Sequence, residues 1–259
     1  MREQTKSLGK VRSVLARPIG FRAHELPTRL LSAANKRVRD FIRLKRSLEE
    51  LQRVAGSCEN LGQVFDEVQR SGDFRSEQKR TEVLSLLENL AEERPKFLCE
   101  IGSSRGGTLF LLARVCAPNA TIISIDLGVS YVRRLIYQRM ANQHQRIFCI
   151  RGDSRSPQTI NRVGKILGKN RLDCLFVDGD HSLGSVMSDF ATYSRLVREN
   201  GIIAFHDIVV DHQSRFGSNS VNWTGGVPKF WSLVKTEFES WEYVEDPEQD
   251  GYGLGVVRW

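Results

Sequence analysis

No run of apolar residues in this 259-residue chain approaches the roughly 18 to 20 needed to cross a bilayer. The opening stretch, MREQTKSLGKVRSVLARPIG, also lacks the continuous apolar core of a secretory signal. The two absences together lead to an expected cytoplasmic localisation with no membrane span. Cysteine is scarce: there are five, an odd number, and none stands in a C-x-x-C pair. That argues against a disulfide framework or a cysteine zinc site. Cys99, Cys149 and Cys174 fall inside predicted strands and read as small buried thiols. Internal repeats and low-complexity tracts are missing too. The basic residues are not interleaved with aromatics and match no RNA-binding signature, so no nucleic-acid partner is expected despite a net charge of +7.

That charge is unevenly spread. Residues 1–55 hold 14 Lys and Arg against 5 Asp and Glu, so the basic character belongs to an N-terminal attachment, read as a solvated, partly helical extension. Pro18, Gly20 and Pro27, with no sustained period around them, make residues 1–38 a loosely structured arm. From Arg39 to Ala55 the apolar residues Phe41, Leu44, Leu48, Leu51 and Val54 recur at helical spacing, close to a short heptad seam. Packing on the domain is the expected use of that seam; pairing in a homodimer is the alternative. A second helix covers about 61–70. A third runs from Ser76 to Glu93, burying Val83, Leu84, Leu87 and Leu90 and stopping before Pro95. The expected organisation is thus an arm (1–38), a helical extension (39–75) and one domain (76–259).

After Pro95 the texture changes. Apolar runs at 97–101, 121–125, 147–150, 172–177 and 201–205 alternate with helical patterns at about 107–116, 130–142, 156–168 and 183–198. Such alternation predicts a parallel sheet wrapped by helices on both sides. WEYVED and GYGLGVVRW read instead as two strands joined by a Pro/Asp/Gly turn, hence an antiparallel pair.

In a doubly wound sheet, ligands bind beyond the C-terminal ends of the strands. The residues where the five runs stop are Glu100 and Gly102, Asp126, Gly152 and Asp153, Asp178 to His181, and His206 and Asp207. Every strand end carries an acid, and five acids on one rim mark a site. The first turn, EIGSSRGG, is a near miss of G-x-G-x-x-G, with Gly102, Ser104 and Gly107 in the three slots. A serine in the middle slot hinders the close approach of a pyrophosphate, and Glu100 would repel one. A carboxylate there suits a ligand with a cationic centre. Asp126 follows Gly107 by 19 residues, a spacing suited to ribose hydroxyls, and Asp153 is placed to receive an adenine amine. These features favour S-adenosylmethionine over NAD.

The segments FLCEIGSSRGGTLFLLA, TIISIDL, IRGDS, LDCLFVDGDHSLGSVMSDF, NGIIAFHDI and GGVPKFW together resemble a class I S-adenosylmethionine-dependent methyltransferase. Within that class they are similar to the branch of cephalosporin hydroxylase-like proteins and macrocin and mycinamicin sugar O-methyltransferases. The resemblance spans about residues 76–259. It implies a Rossmann-like doubly wound sheet of seven strands, mostly parallel with a C-terminal antiparallel hairpin, carrying N-terminal helices. It also implies a cofactor site of Glu100, Gly102, Ser103, Ser104, Gly106 and Gly107 on the turn, Asp126 and Leu127 at the ribose, Gly152, Asp153 and Ser154 near the adenine, and Asp178.

Methyl transfer is an in-line displacement, and an alcohol is a poor nucleophile until its proton is removed or a metal lowers its pKa. In the relatives a divalent ion sits on residues that correspond by position to Asp178, His206 and Asp207. Their base comes from the same loop, which gives Asp180 or His181 here. Where the relatives have two acids, this chain has His206-Asp207. An imidazole suits manganese better than magnesium, and it leaves His206 open to orient the acceptor or to act as base. The polar loop at 208–226 is placed to cover an acceptor with Phe216 and Trp223, whereas Phe230 and Trp231 read as core. The expected activity is O-methylation of a small-molecule hydroxyl, on a glycoside or other natural-product precursor, with a metal ion (Mg or Mn) as one device. The alternatives are the same fold working by base catalysis without metal, and a non-catalytic partner subunit that binds S-adenosylmethionine or a nucleotide. The acidic rim argues against the second of these.

Overall fold

The computed structural model describes residues 28–142, 144–217 and 222–259. Residues 1–27 of the expected arm and 218–221 of the long loop lie outside the described residues. Helices α1 (Thr28–Ala55), α2 (Leu61–Arg70) and α3 (Arg80–Glu93) precede the first strand. Strands β1 (Phe97–Ile101), β2 (Thr121–Asp126), β3 (Arg146–Arg151), β4 (Leu172–Val177) and β5 (Val197–His206) then alternate with α4 (Gly107–Val115), α5 (Tyr131–Tyr137), α6 (Pro157–Leu167) and α7 (Leu183–Tyr193). The chain finishes with α8 (His212–Phe216), α9 (Val227–Val234), β6 (Ser240–Tyr243) and β7 (Leu254–Arg258).

The seven strands form one sheet in the order β3-β2-β1-β4-β5-β7-β6. The first five are parallel, and β7 inserts antiparallel between β5 and β6. Strand order runs one way from β1 to β3 and the other from β4 to β5, so the switch point lies between the C-terminal ends of β1 and β4. Alternation along each strand sends Leu98, Ile122, Cys149, Cys174 and Ile202 into a core shared with α1 to α5. Cys99, Ile123, Ile150, Leu175 and Ile203 enter a second core with α6, α7 and α9.

The exit from β1 is drawn tight at the switch point. The Gly102 N–H donates to the Ile125 carbonyl at 2.8 Å, and the Asp178 N–H donates to the Ile101 carbonyl at 2.8 Å. Gly102 has φ 92°, and a Cβ built on it would stand 1.7 Å from the Asp178 carbonyl oxygen. The glycine is therefore demanded by the approach of two strand ends to one another.

Several boundaries differ from those expected. Helix α1 begins at Thr28 rather than Arg39, so residues 28–38 of the expected loose arm are helical. Helix α3 begins at Arg80 rather than Ser76; Leu84 is half-buried, and Leu86 joins Val83, Leu87 and Leu90 in the core. The pattern at 130–142 closes as an α-helix at Tyr137 and tightens to a 3₁₀ turn over Gln138–Met140. Strand β5 starts at Val197, taking the end of what reads as a helix to 198. Phe41, Leu44, Leu48 and Leu51 are buried in the chain's own core, so the seam on α1 is used internally. Cys99, Cys116, Cys149 and Cys174 are buried free thiols, and Cys58 is half-buried.

Candidate active site

The ends of β1 to β5 open onto one cavity of about 560 Å³, a size typical of small-molecule sites. On its β1–β3 side the wall is Gly102, Ser104, Asp126, Leu127, Gly152, Asp153 and Ser154. Ser104 has φ 41°, the left-handed conformation a glycine would adopt there without strain. Two hydrogen bonds hold it: its N–H donates to Asp126 Oδ2 at 2.7 Å, and its carbonyl accepts from the Tyr137 hydroxyl at 2.6 Å. The turn thus keeps a glycine-like path without the middle glycine. Asp126 Oδ1 also accepts from the Gly128 N–H at 2.7 Å. Leu127 beside it is 69% exposed, an apolar side chain open to solvent. Asp153 accepts from the Arg155 N–H at 2.9 Å and Nε at 3.0 Å, and this hydrogen bonding holds its carboxyl below the usual range.

Four residues expected at the cofactor do not line the cavity. Ser103 is buried and accepts from the Ser124 hydroxyl at 2.8 Å, while Gly106 and Gly107 begin α4. Glu100 is fully buried, and among the described residues neither carboxylate oxygen has a partner. The cause is strand alternation: Glu100 shares the face of Leu98, which points into the core beneath α4 and α5. Burial pushes its carboxyl well above the usual range, and the neighbouring charges of Asp178 and Asp126 push the same way.

On the β4–β5 side the wall carries Asp178, Asp180, His181, His206, Asp207, Trp223 and Tyr252. His206 Nδ1 lies 3.1 Å from Asp178 Oδ1 and 3.2 Å from Asp207 Oδ1. His181 Nε2 lies 3.2 Å from Asp207 Oδ2 and 3.8 Å from Asp178 Oδ1. Its Nδ1 meets the Trp223 carbonyl at 2.5 Å; a carbonyl only accepts, so Nδ1 carries the proton there. Two carboxylates and two imidazoles therefore form one cluster. The hydrogen bond to Asp178 leads in raising His181 to about 9 against the opposing cost of burial, and Asp207, the closer carboxylate, adds to it. Burial alone would lower His206, but Asp178 and Asp207 overcome it and hold the ring at about 10. Burial would likewise raise Asp178, and His206 and His181 reverse that and keep it lowered. Asp207 has φ 66°, a strained conformation for a non-glycine residue, which sets its carboxylate behind both rings.

The expected metal set was Asp178, His206 and Asp207. Among the described residues, the group whose donor atoms lie within 4.8 Å of one another is Asp178, His181 and Asp207. His206 Nδ1 is pinned between the two carboxylates, and its buried Nε2 has no partner among the described residues. Asp180 is the most exposed acid of the loop. It accepts from the Ser182 N–H at 3.0 Å and the Ser185 hydroxyl at 2.8 Å, next to the start of α7, and the Ser182 hydrogen bond lowers it below the usual range.

Of the loop aromatics, Trp223 lines the cavity; Phe216 is 66% exposed and does not. Phe230 and Trp231 are core, as expected. Sequence reasoning missed four wall or support residues. Gln78 donates from Nε2 to Asp178 Oδ2 at 2.9 Å. Tyr252 stands edge-on to Trp223, with centroids 4.8 Å apart, and faces the His206 ring at 5.9 Å. Glu77 and Arg155 also line the cavity. Only Tyr252 carried a local signal, its place between Gly251 and Gly253; Gln78 reaches Asp178 across a hundred residues of sequence.

Residues 99–208 match a family model described as a methyltransferase domain. No curated protein sequence matches the chain. Among solved structures, the chain is similar to an O-methyltransferase from Bacillus cereus in complex with SAH, at 15% identity and a TM-score of 0.55, covering 83% of this chain and 91% of that one. It is also similar to cofactor-bound Rv0187 from MTB, at 15% identity and a TM-score of 0.53, covering 82% and 90%. A third is CalS11, a TDP-rhamnose 3'-O-methyltransferase of calicheamicin biosynthesis, at 13% identity and a TM-score of 0.50, covering 83% and 93%. At these identities the likeness is one of fold.

Proposed function

Residues 99–208 match a methyltransferase-domain model, and from that premise we infer that the protein moves the methyl group of S-adenosylmethionine to a hydroxyl of a small, uncharged ring compound such as a glycoside. One observation carries the reading: a single cavity joins the Ser104–Asp126–Asp153 wall to the Asp178–His181–Asp207 cluster. The first wall fits the cofactor. Asp126 retains acceptor capacity for ribose hydroxyls beyond its two backbone partners, and exposed Leu127 offers apolar cover for a flat base. When bound, the cofactor supplies an electrophilic methyl group on a sulfonium.

The second wall bears on the acceptor. Trp223 and Tyr252 offer aromatic surface for a ring. Carboxylates outnumber cations around the cavity, and Arg155 is paired to Asp153. A phosphate-bearing acceptor is therefore disfavoured. At neutral pH the His181 ring is protonated and donates, whereas Asp180 is ionised and faces the cavity. Asp180 therefore takes the hydroxyl proton, and the Asp178–His181–Asp207 cluster holds the oxygen. The same three side chains suit a divalent cation, manganese better than magnesium, which would lower the pKa of the acceptor hydroxyl. His181 Nε2 must shed its proton before it can act as such a ligand.

Three measurements test this. S-adenosylhomocysteine at about tenfold over its Kd should stabilise the protein by about 1.4 kcal/mol, seen as a melting shift of a few degrees, and NAD should not. A shift with NAD alone would sink the assignment. Release of S-adenosylhomocysteine is then assayed with a panel of neutral glycosides and phenols, before and after chelation; activity unchanged by chelation removes the metal and leaves the rest. Trp223→Ala should raise the acceptor KM about tenfold, as expected for loss of an aromatic contact, with little change in kcat. An unchanged KM would move the acceptor elsewhere in the cavity.

A further inference from the structure

A second cavity, of about 380 Å³, lies outside the site just described, between α1, the start of α5 and the end of β3. Two strands, β2 and β1, separate its Arg151 from Asp178, which follows β4. Its lining holds five cationic side chains, Lys36, Arg37, Arg43, Arg133 and Arg151, against one acid, Asp40. These cations do not come from a single basic run. Lys36, Arg37 and Asp40 share a stripe of α1 through i, i+1 and i+4 spacing, with Leu44 continuing it. Arg133 comes from α5, and Arg151 from the last residue of edge strand β3.

The charge is largely uncompensated within the fold. Arg43 pairs with Asp73. Among the described residues, no carboxylate pairs with Lys36, Arg37, Arg133 or Arg151. Arg133 is nonetheless fixed, because its Nη1 donates to the Asp73 carbonyl at 3.0 Å and the Arg105 carbonyl at 3.1 Å. A guanidinium immobilised by neutral acceptors keeps its whole charge while its position is set. Holding like charges around a concavity is unfavourable unless an anion enters. Guanidinium groups match phosphate oxygens in paired hydrogen bonds, and the volume suits more than a single small ion. The ring of Tyr131, 40% exposed on the same lining, gives apolar surface for a group attached to the phosphate.

We propose that this cavity binds a phosphate-bearing ligand through Lys36, Arg37, Arg133 and Arg151, at a site separate from the methyl-transfer cavity. The proposal does not depend on the reaction assigned above. The phosphate can belong to a soluble phosphate ester or to a lipid headgroup, and a concave site between three elements recognises either by the same contacts.

The test uses the full chain and two variants, Arg37→Gln and Arg151→Gln. Both side chains are exposed, and circular dichroism melting checks that each variant folds as the parent does. Calorimetry with pyrophosphate at fixed ionic strength should show saturable binding, weakened about tenfold or more in each variant. Flotation with phosphatidylcholine vesicles, with and without a phosphatidylinositol phosphate, forms the second arm. Pyrophosphate binding without vesicle binding identifies a soluble ligand. Vesicle binding that requires the phosphoinositide and is displaced by pyrophosphate identifies a headgroup. Absence of binding in both arms, or affinities the two variants leave unchanged, overturns the proposal.

Discussion

Asp180→Asn should fold, bind S-adenosylhomocysteine with its affinity nearly unchanged, and turn over about a thousandfold more slowly, within the range for loss of a general base. The side chain is 56% exposed, and an amide oxygen can still accept from the Ser182 N–H while its nitrogen faces the Ser185 hydroxyl. Stability should therefore change little, and what is lost is an ionised proton acceptor in the cavity wall. Asp178→Asn should behave differently. That carboxylate lies between His206 and His181 and is further held by Gln78. Removing its charge leaves two imidazolium rings facing Asp207 alone. Breaking a buried charge pair from one side costs about 3–5 kcal/mol, so this variant should lose stability as well as turnover. Steady-state release of S-adenosylhomocysteine, its calorimetric Kd and urea unfolding separate the two cases. Full turnover in Asp180→Asn would remove it as the proton acceptor, and full turnover in Asp178→Asn would remove the cluster from the chemistry.

The fold was legible because hydrophobic period changes visibly at Pro95, from the helical spacing of Leu84, Leu87 and Leu90 to short apolar runs ending in acids. The reversed pair at the end showed itself through the turn chemistry between WEYVED and GYGLGVVRW. The rim of the site was legible for a related reason: a parallel sheet places all its strand ends on one side, so position alone gathers Asp126, Asp153, Asp178 and Asp207. What sequence spacing cannot resolve is direction within a strand end. His206 and Asp207 are adjacent, yet both imidazoles meet the two acids, His206 through Nδ1 and His181 from the β4 loop through Nε2, and spacing alone does not say which ring shares a ligand with them. Side chains arriving from distant segments were illegible for another reason. Gln78 and Tyr252 reach the site across separations that no local pattern records.

Glu100→Gln should flatten the pH dependence of folding stability, because Glu100 is a carboxyl kept neutral by its surroundings. Its folded-state pKa is raised by burial first, then by Asp178 and Asp126, while an unfolded glutamate titrates at about 4.3. Between those two values the native chain holds one more proton at this site than the unfolded chain. Stability must then fall as pH rises, with a slope approaching about 1.4 kcal/mol per unit from this group alone. The contribution is complete below the unfolded value and is lost above it. His181 and His206 are raised in both proteins, so their effect largely cancels in the difference. Urea unfolding of parent and variant from about pH 5 upward should therefore give stabilities that diverge, the glutamine protein gaining until the pH passes the raised folded-state value. Parallel curves would mean that Glu100 is ionised in the folded state. That outcome would also restore the role its place in EIGSSRGG suggests, a charged carboxylate held for a cationic ligand, whereas divergence fixes it as a protonated core residue one layer beneath the wall that Ser104 and Asp126 form.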